Sequence, residues 1–436
     1  MKKNLVIGIL REEKNEWEKR TPLTPSDVRW LAEKGIKVVV ESSSLRGFQD
    51  DEYREAGAKV VKTARRASVL VGIKEPKLEN VLDDKIYMIF SHTAKGQSHN
   101  MPLLKKFLKK KVTLIDYEKV TDLYGKRLVF FGRFAGICGM VDSLHYCAAK
   151  LKWKGIDTPF TGLKPAWKYT SLNELKKDIG RTGRRIKLKG FNREITPFII
   201  GITGCGNVSK GAQEILEELD PVEIHPRDFD RFMERKKYKR NKIYKVIFFR
   251  EEKIRARNGR NFYFEEYLQK PGNFESNLDR YLPHLKMLVH TSYWDRRYPR
   301  VVPKAMLRDL YRRKDFRLEF ITDISCDVKG SIEVTDRTTT PGDPVFTYDP
   351  GNNKYTGGYE SDGVTILAVD NLPAELPKDS SEHFGKLMRD YVYQVALRGP
   401  NGTADDPAIP GEIRRAVITR KGKLTDGYRY LGKYLD

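Results

Sequence analysis

Phe198-Ile199-Ile200-Gly201-Ile202-Thr203, followed at once by Gly204-Cys205-Gly206-Asn207-Val208-Ser209, decides the fold class. A continuous apolar run meeting a glycine turn reads as a buried parallel strand, and Val208, Ala212, Ile215, Leu216 and Leu219 recur behind it at helical spacing. In such a strand-turn-helix unit the first glycine permits the tight turn. The second lets backbone approach a pyrophosphate, which rests on the N–H groups of the helix start. Ser209 replaces the third glycine of the usual dinucleotide fingerprint, with Gly211 close by. The next strand, Val222-Glu223-Ile224, ends in His225-Pro226-Arg227. A cation at that point favours the 2′-phosphate of NADP(H), and Asp228 one residue on keeps NAD(H) as the alternative.

Working outward, the first 130 residues show the same alternation. Leu5 to Leu10 reads as a first strand running into Arg11-Glu12-Glu13-Lys14, not as a signal peptide. Thr24-Pro25-Ser26-Asp27 carries a capping box with proline at the first helical position, Gly35 ends that helix, and Ile36 to Val40 follows as a strand. A helix is predicted over Asp51 to Ala58, parallel strands at Val69 to Ile73 and Ile86 to Phe90, a basic amphipathic helix over Met101 to Lys110, and a strand at Val112 to Ile115. Gly136 to Trp153 reads as a long connecting helix and Thr158 to Arg193 as an irregular basic junction. Beyond the glycine turn, nine Lys/Arg face three Asp/Glu between Arg227 and Lys245, and 227–282 interrupts the rhythm as an insertion before Met287 to His290 resumes it. Strands at Phe320 to Thr322 and Val364 to Val369 and a last helix from Ser381 complete the pattern. The expectation is α/β: two Rossmann-like, doubly wound parallel-sheet domains with a cleft between them. The catalytic domain is discontinuous, 1–135 plus 373–436, and 136–372 is the dinucleotide-binding domain.

Composition sets bounds on function. A chain of 436 residues, 39% hydrophobic and 32% charged, is not disordered as a whole. Lys and Arg exceed Asp and Glu by 82 to 59, and the net +23 suits nucleic acid, an anionic membrane surface or small anionic substrates. No apolar run approaches a membrane span. Cys138, Cys147, Cys205 and Cys326 form no CxxC pair, which gives neither a disulfide framework nor a zinc pattern and fits the cytoplasm. No His/Asp/Glu spacing points to a metal, and no nucleophile motif is present.

Lys74 directly follows one predicted parallel strand and His92 lies just past the next, so both fall at carboxyl ends, where open α/β sheets gather ligands. A desolvated lysine beside other cations and a histidine together move protons near neutrality. Arg20, Lys95, Gln97, His99 and Arg127 lie near them in the sequence reading, a cluster suited to carboxylates. Tyr87, Trp17 and Phe131 read as core or rim aromatics.

These segments carry a resemblance. Ile9-Leu10-Arg11-Glu12, Arg20-Thr21-Pro22-Leu23-Thr24-Pro25, Gly72-Ile73-Lys74-Glu75-Pro76, Phe90-Ser91-His92-Thr93-Ala94-Lys95-Gly96-Gln97, Phe131-Gly132-Arg133-Phe134-Ala135-Gly136, the glycine turn, Asp323-Ile324-Ser325-Cys326-Asp327 and Val369-Asp370-Asn371-Leu372-Pro373 span almost the whole chain. In them the chain resembles the lysine–2-oxoglutarate reductase half of the aminoadipic semialdehyde synthases. More distantly it resembles the L-lysine-forming saccharopine dehydrogenases and the alanine dehydrogenase/transhydrogenase superfamily. The resemblance implies an NADP(H)-linked reductive condensation of L-lysine with 2-oxoglutarate to saccharopine, reversible, with Lys74 and His92 as the acid-base pair. It implies Arg20, Lys95, Gln97, Arg127 and Phe131 as substrate contacts, and Gly204, Cys205, Gly206, Asn207, Val208, Asp370, Asn371 and Leu372 as cofactor contacts, beside Arg227 from the strand reading. A glutamate-forming saccharopine dehydrogenase on a separate chain is the implied partner. Arg133 and Lys126 depart from the family pattern. Two other readings are an alanine-dehydrogenase-like amino-acid dehydrogenase and a basic nucleic-acid-binding protein using 181–193 and 227–245.

Overall fold

Thr24 opens the first helix, α1 (Pro25–Glu33), through the reciprocal cap its sequence predicts: Asp27 N–H donates to the Thr24 hydroxyl, and Thr24 N–H donates to the Asp27 carboxylate at 2.9 Å. In this computed structural model residues 6–398 and 406–435 are described; Leu5 lies outside them. Strands β1 (Val6–Ile9), β2 (Lys37–Glu41), β3 (Lys59–Val61), β4 (Val69–Val71), β5 (Ile86–Ile89) and β6 (Thr113–Asp116) form a parallel sheet in the order 6-5-4-1-2-3. Helices α2 (Asp50–Glu55) and α3 (Met101–Lys109) belong to the same unit. The sheet is completed from the far end of the chain, where Val417–Arg420 pairs antiparallel with β6 and Lys423–Leu424 with that strand in turn. A helix over Pro377–Arg398 contributes Phe384, Met388, Val392 and Val395 to the core. Contacts thus divide the chain into two compact units, Met1–Phe131 with Pro377–Asp436, and Gly132–Leu376. The boundaries fall at 131 and 376 instead of 135 and 372. Helix α4 (Gly132–Trp153) already starts at Gly132, and the turn over Leu372–Glu375 packs into the α4 core.

In the second unit α4 is followed by α5 (Leu172–Lys189), whose Leu175, Ile179 and Ile186 are buried behind a Ser171 cap. The stretch read as an irregular junction is therefore in large part a helix, its apolar stripe masked by seven Lys and Arg on the other faces. Strand β7 (Phe198–Thr203) leads through the glycine turn into α6 (Asn207–Glu217). Then come β8 (Val222–Glu223), β9 (Ile243–Phe248), the antiparallel pair β10 (Ile254–Ala256) and β11 (Phe274–Ser276), β12 (Met287–His290), β13 (Phe320–Asp323), β14 (Val345–Asp349), β15 (Lys354–Gly357) and β16 (Val364–Leu367). The sheet order is 15-14-16-13-12-7-9-8, parallel except at β14. This corrects the insertion over 227–282. β9 lies inside the sheet, paired with β7 over six residues, and only the hairpin β10–β11 with its flanks stands off it. β9 is buried along nearly its whole length whereas both residues of β8 are exposed, so β9 takes the interior place and β8 the edge.

Helices α4 and α6 meet backbone to backbone. A Cβ on Gly136 would stand 1.9 Å from the Val208 carbonyl oxygen, and one on Gly211 2.0 Å from that of Arg133. Gly136→Ala is expected to destabilise the chain by about 3 kcal/mol, because a methyl group forced against backbone has nowhere to relax. Gly180→Ala, on α5 with open space around it, should be neutral or stabilising by up to about 1 kcal/mol. Equal denaturant midpoints for the two variants would refute the close contact.

Candidate functional site

Two sets of residues gather at carboxyl ends of parallel strands, one in each unit. In the first unit Lys74 and His92 each stand three residues beyond their strands, β4 and β5, which are paired neighbours. The ladder runs on to Phe90 N–H, which donates to Ile73 O at 3.0 Å, so the two loops leave the sheet together. Glu12, beyond β1, accepts the backbone N–H groups of Ile73 and Lys74 at 2.6 and 2.9 Å and thereby fixes the Lys74 loop. Burial and the nearby Glu18 carboxylate push Glu12 up to about 8, against those two hydrogen bonds.

His92 adopts a left-handed backbone conformation, φ +53°. Its Nδ1 stands 3.6 Å from the Glu75 carboxylate, whose other oxygen accepts from Lys14 Nζ at 2.9 Å. Burial alone would raise Glu75, but His92 and Lys14 outweigh it and hold the carboxyl well below the ordinary range. Glu118, past β6, is likewise lowered: burial opposes, but the charges of Arg127, Lys95 and His92 prevail. Arg127 donates to it at 2.8 Å. Lys74, His92, Lys95 and Arg127 thus share one sheet edge, and a cavity of about 110 Å³ lined by Glu12, Glu41, Lys62, Arg65, Lys74 and Tyr87 opens beside it.

Arg20 is deeply buried. Its guanidinium forks onto Glu18 at 2.8 and 2.6 Å and lies 4.2 Å over the Phe131 ring. Phe131 in turn stacks on Phe384 at 4.4 Å. Both are framework as much as contact surface, because their reach is already engaged. Gln97 is exposed, with the Asn100 amide 3.5 Å from its Oε1. Arg133, the departure from the family pattern, forks onto Glu214 at 2.8 and 2.7 Å and so serves the second unit's packing.

In the second unit Gly204 has φ +96°, and a Cβ there would meet the Ser292 hydroxyl at 2.7 Å. Gly204 N–H donates to Phe248 O at 2.8 Å, tying the turn to the end of β9. Gly206 caps α6 with nothing within 4 Å of its Cβ position, and the first turn of α6 holds no acid. Open space before an unobstructed, eleven-residue helix N-terminus fits a dinucleotide's pyrophosphate. Lys253 is buried behind this turn and donates to Ser292 Oγ at 2.5 Å; burial and the charge of Arg250 lower its ammonium to about 8. Asp370 and Asn371 follow β16 at the same carboxyl edge, Asp370 exposed, while the Leu372 side chain is buried in the α4 core and leaves only its backbone for a ligand.

Arg227 is not brought to this turn. It follows β8, the far edge strand, its side chain is 77% exposed, and its Nε lies 3.7 Å from Asp228. The assignment assumed that the next strand in sequence is also the next in the sheet, which β9 overturns. Glu12, Glu75 and Lys253 escaped the sequence reading. The first two stand inside quoted segments, directly after Arg11 and Lys74, where an acid beside a functional cation was the available signal.

Comparison with known proteins matches two family models, the N-terminal domain of alanine dehydrogenase/PNT over residues 8–138 and its C-terminal domain over 252–427. The chain belongs to the alanine dehydrogenase/PNT family. Within reach of this family, the alpha-aminoadipic semialdehyde synthase of Arabidopsis thaliana is 35% identical over 98% of this chain and 41% of its own length. The mitochondrial alpha-aminoadipic semialdehyde synthase of Rattus norvegicus is 32% identical, over 98% and 48%. The chain therefore spans less than half the length of these relatives. A saccharopine dehydrogenase [NAD(+), L-lysine-forming] of Emericella nidulans is 25% identical over 89% of this chain and 92% of its own. Among solved structures an L-alanine dehydrogenase superposes with TM-score 0.63 at 21% identity, covering 99% of this chain and all of that one, which establishes the alanine dehydrogenase/PNT fold.

Among the described residues no helix is long and apolar enough to cross a membrane. The Glu12 carboxyl gives a pH signature. Between about 4.5 and about 8 the folded chain keeps a proton that the unfolded chain has released, so this group makes stability fall as pH rises through that window. Glu12→Gln should remove that component. Unfolding curves of wild type and variant that run parallel across the window would contradict it.

Proposed function

We propose that this chain is an oxidoreductase that condenses the ε-amine of L-lysine with the keto carbon of 2-oxoglutarate and reduces the resulting imine to saccharopine, reversibly, with NADPH as reductant, in the cytoplasm. The observation that carries the reading is the pairing of Lys74 and His92 at matching offsets beyond adjacent parallel strands, in a chain similar to an alpha-aminoadipic semialdehyde synthase and to an L-lysine-forming saccharopine dehydrogenase. When bound, the nicotinamide supplies the hydride.

The proposed work of the chain's own side chains is proton transfer and positioning. Lysine's amine is protonated near neutrality and must lose that proton before it attacks a ketone. The carbinolamine then needs a proton on its oxygen to leave as water. Lys74 and His92 are proposed as acceptor and donor in these steps. The ionised Glu75 carboxylate faces His92 Nδ1 at 3.6 Å and is proposed to orient the ring. Lys95, Arg127, Gln97, Arg20 and Phe131 are the proposed surroundings for the substrate carboxylates. Arg20 acts there through its hold on Glu18 and Phe131. Gly204 to Val208, Asp370 and Asn371, with the Leu372 backbone, are proposed for the cofactor. Saccharopine formed in this way would pass to a glutamate-forming dehydrogenase.

The direct test is oxidation of NADPH with lysine plus 2-oxoglutarate, set against pyruvate plus ammonia. Lysine-dependent turnover is expected, and its absence would sink the reading. Lys74→Met and His92→Gln should each lower turnover by about 100- to 10,000-fold while leaving NADPH binding intact. A near-wild-type rate in either variant would remove that residue from the acid-base role.

A further inference from the structure

In a doubly wound sheet the adenosine ribose of a dinucleotide lies beside the end of the strand that flanks the glycine-turn strand. Here that strand is β9, which runs alongside β7 from Phe198↔Ile243 to Thr203↔Phe248. β8 lies one strand farther out, roughly 10 Å from β7.

Arg250 follows Phe248 by two residues, about 7 Å of chain from the carbonyl that accepts the Gly204 N–H. Its guanidinium carbon stands 4.6 Å from the Phe264 ring centre and 5.6 Å from that of Tyr267. Tyr267 stacks on Tyr298 at 4.9 Å and packs edge-on against Phe274 at 5.4 Å. The β10–β11 hairpin and its flanks thus build an aromatic shelf under Arg250. Among the described residues no carboxylate pairs with this guanidinium, and stacking through its face leaves its N–H edge for a ligand. Three residues on, Lys253 adds a second cation behind the turn, held to the Ser292 hydroxyl that the absent Gly204 side chain would strike. Glu251 is exposed beside Arg250, and Glu252 turns one carboxylate oxygen into the protein.

We propose that Arg250, supported by Lys253, is the residue by which this chain selects a nicotinamide dinucleotide bearing a 2′-phosphate. The inference rests on the nicotinamide part of the proposed function and not on its substrates. Arg forks match phosphate geometry, and a phosphate dianion is the only group that distinguishes NADPH from NADH.

The test measures binding of NADPH and of NADH separately to the full chain, by fluorescence of the reduced nicotinamide, for wild type, R250Q and R250K. R250Q is expected to weaken NADPH about 10- to 100-fold, the loss of one charge-assisted fork, and to leave NADH within about 2-fold. R250K, which keeps the charge but not the fork, should fall between. Unchanged NADPH affinity in R250Q, or equal weakening of both nucleotides, overturns the assignment, as does a preference that moves instead with Arg227→Gln. Wild type that binds NADH more tightly than NADPH overturns it too. No lysine or 2-oxoglutarate is present, so failure to turn over lysine strikes the substrate reading alone.

Discussion

Contact between the backbones of α4 and α6 is the constraint on which the second unit depends. At Gly136 and Gly211 no side chain separates the helices, and that closeness fixes where α6 begins. Its first residues, Asn207 and Val208, form the end of the glycine turn; the Arg133–Glu214 fork clamps the same pair of helices from the side, and Lys176 of α5 joins the same Glu214. A helix N-terminus binds an anion only if its N–H groups stay in place when the charge arrives. Here the position is set by steric exclusion and not by a flexible loop.

Local residues encode some of these elements, and packing against distant ones decides the rest. The capping box at Thr24 and Asp27, the strand at 198–203 and the turn at 204–206 are local, and each was legible because a single residue type does a single job there. The order of β8 and β9 is not local. It is decided by which strand can bury both faces, and the run Ile243 to Phe248 outcompetes Val222–Glu223 for the interior. That comparison of two apolar runs was available in the sequence, but a count of twenty residues past the glycines pointed to the wrong strand. Helix α5 was hidden differently. Its Lys and Arg dominate the composition, and only the stripe Leu175, Ile179 and Ile186 betrays it. In the candidate site the basic residues Lys74, His92, Lys95 and Arg127 were legible as a set. The carboxylates that hold them, Glu12, Glu75 and Glu118, were not, since an acid's partner across a sheet edge depends on register.

The positive excess also reads differently once partners are known. Within 227–245, Lys245 is buried between Glu217 and Glu223 at 2.5 and 3.0 Å, Lys242 joins Lys187 on Asp220, and Arg240 donates to the Phe191 carbonyl. These cations knit β9 and its approach to the rest of the unit. These three are structural charges, whereas Arg227, Arg231, Arg235, Lys236, Lys237 and Lys239 of the same stretch are exposed.

The sheet of the first unit takes six strands from one end of the chain and its outer pair from the other, with 132–376 in between. During synthesis β6 therefore emerges with an open edge and without Phe384, Met388 and Val392 beneath it, and stays so until more than two hundred further residues have been added. The intervening unit is contiguous and lacks nothing once residue 376 is out. The ribosome thus delivers the second unit complete before the first, reversing the usual N-terminal-first order and leaving the strand next to His92's own as an unguarded edge for the longest time.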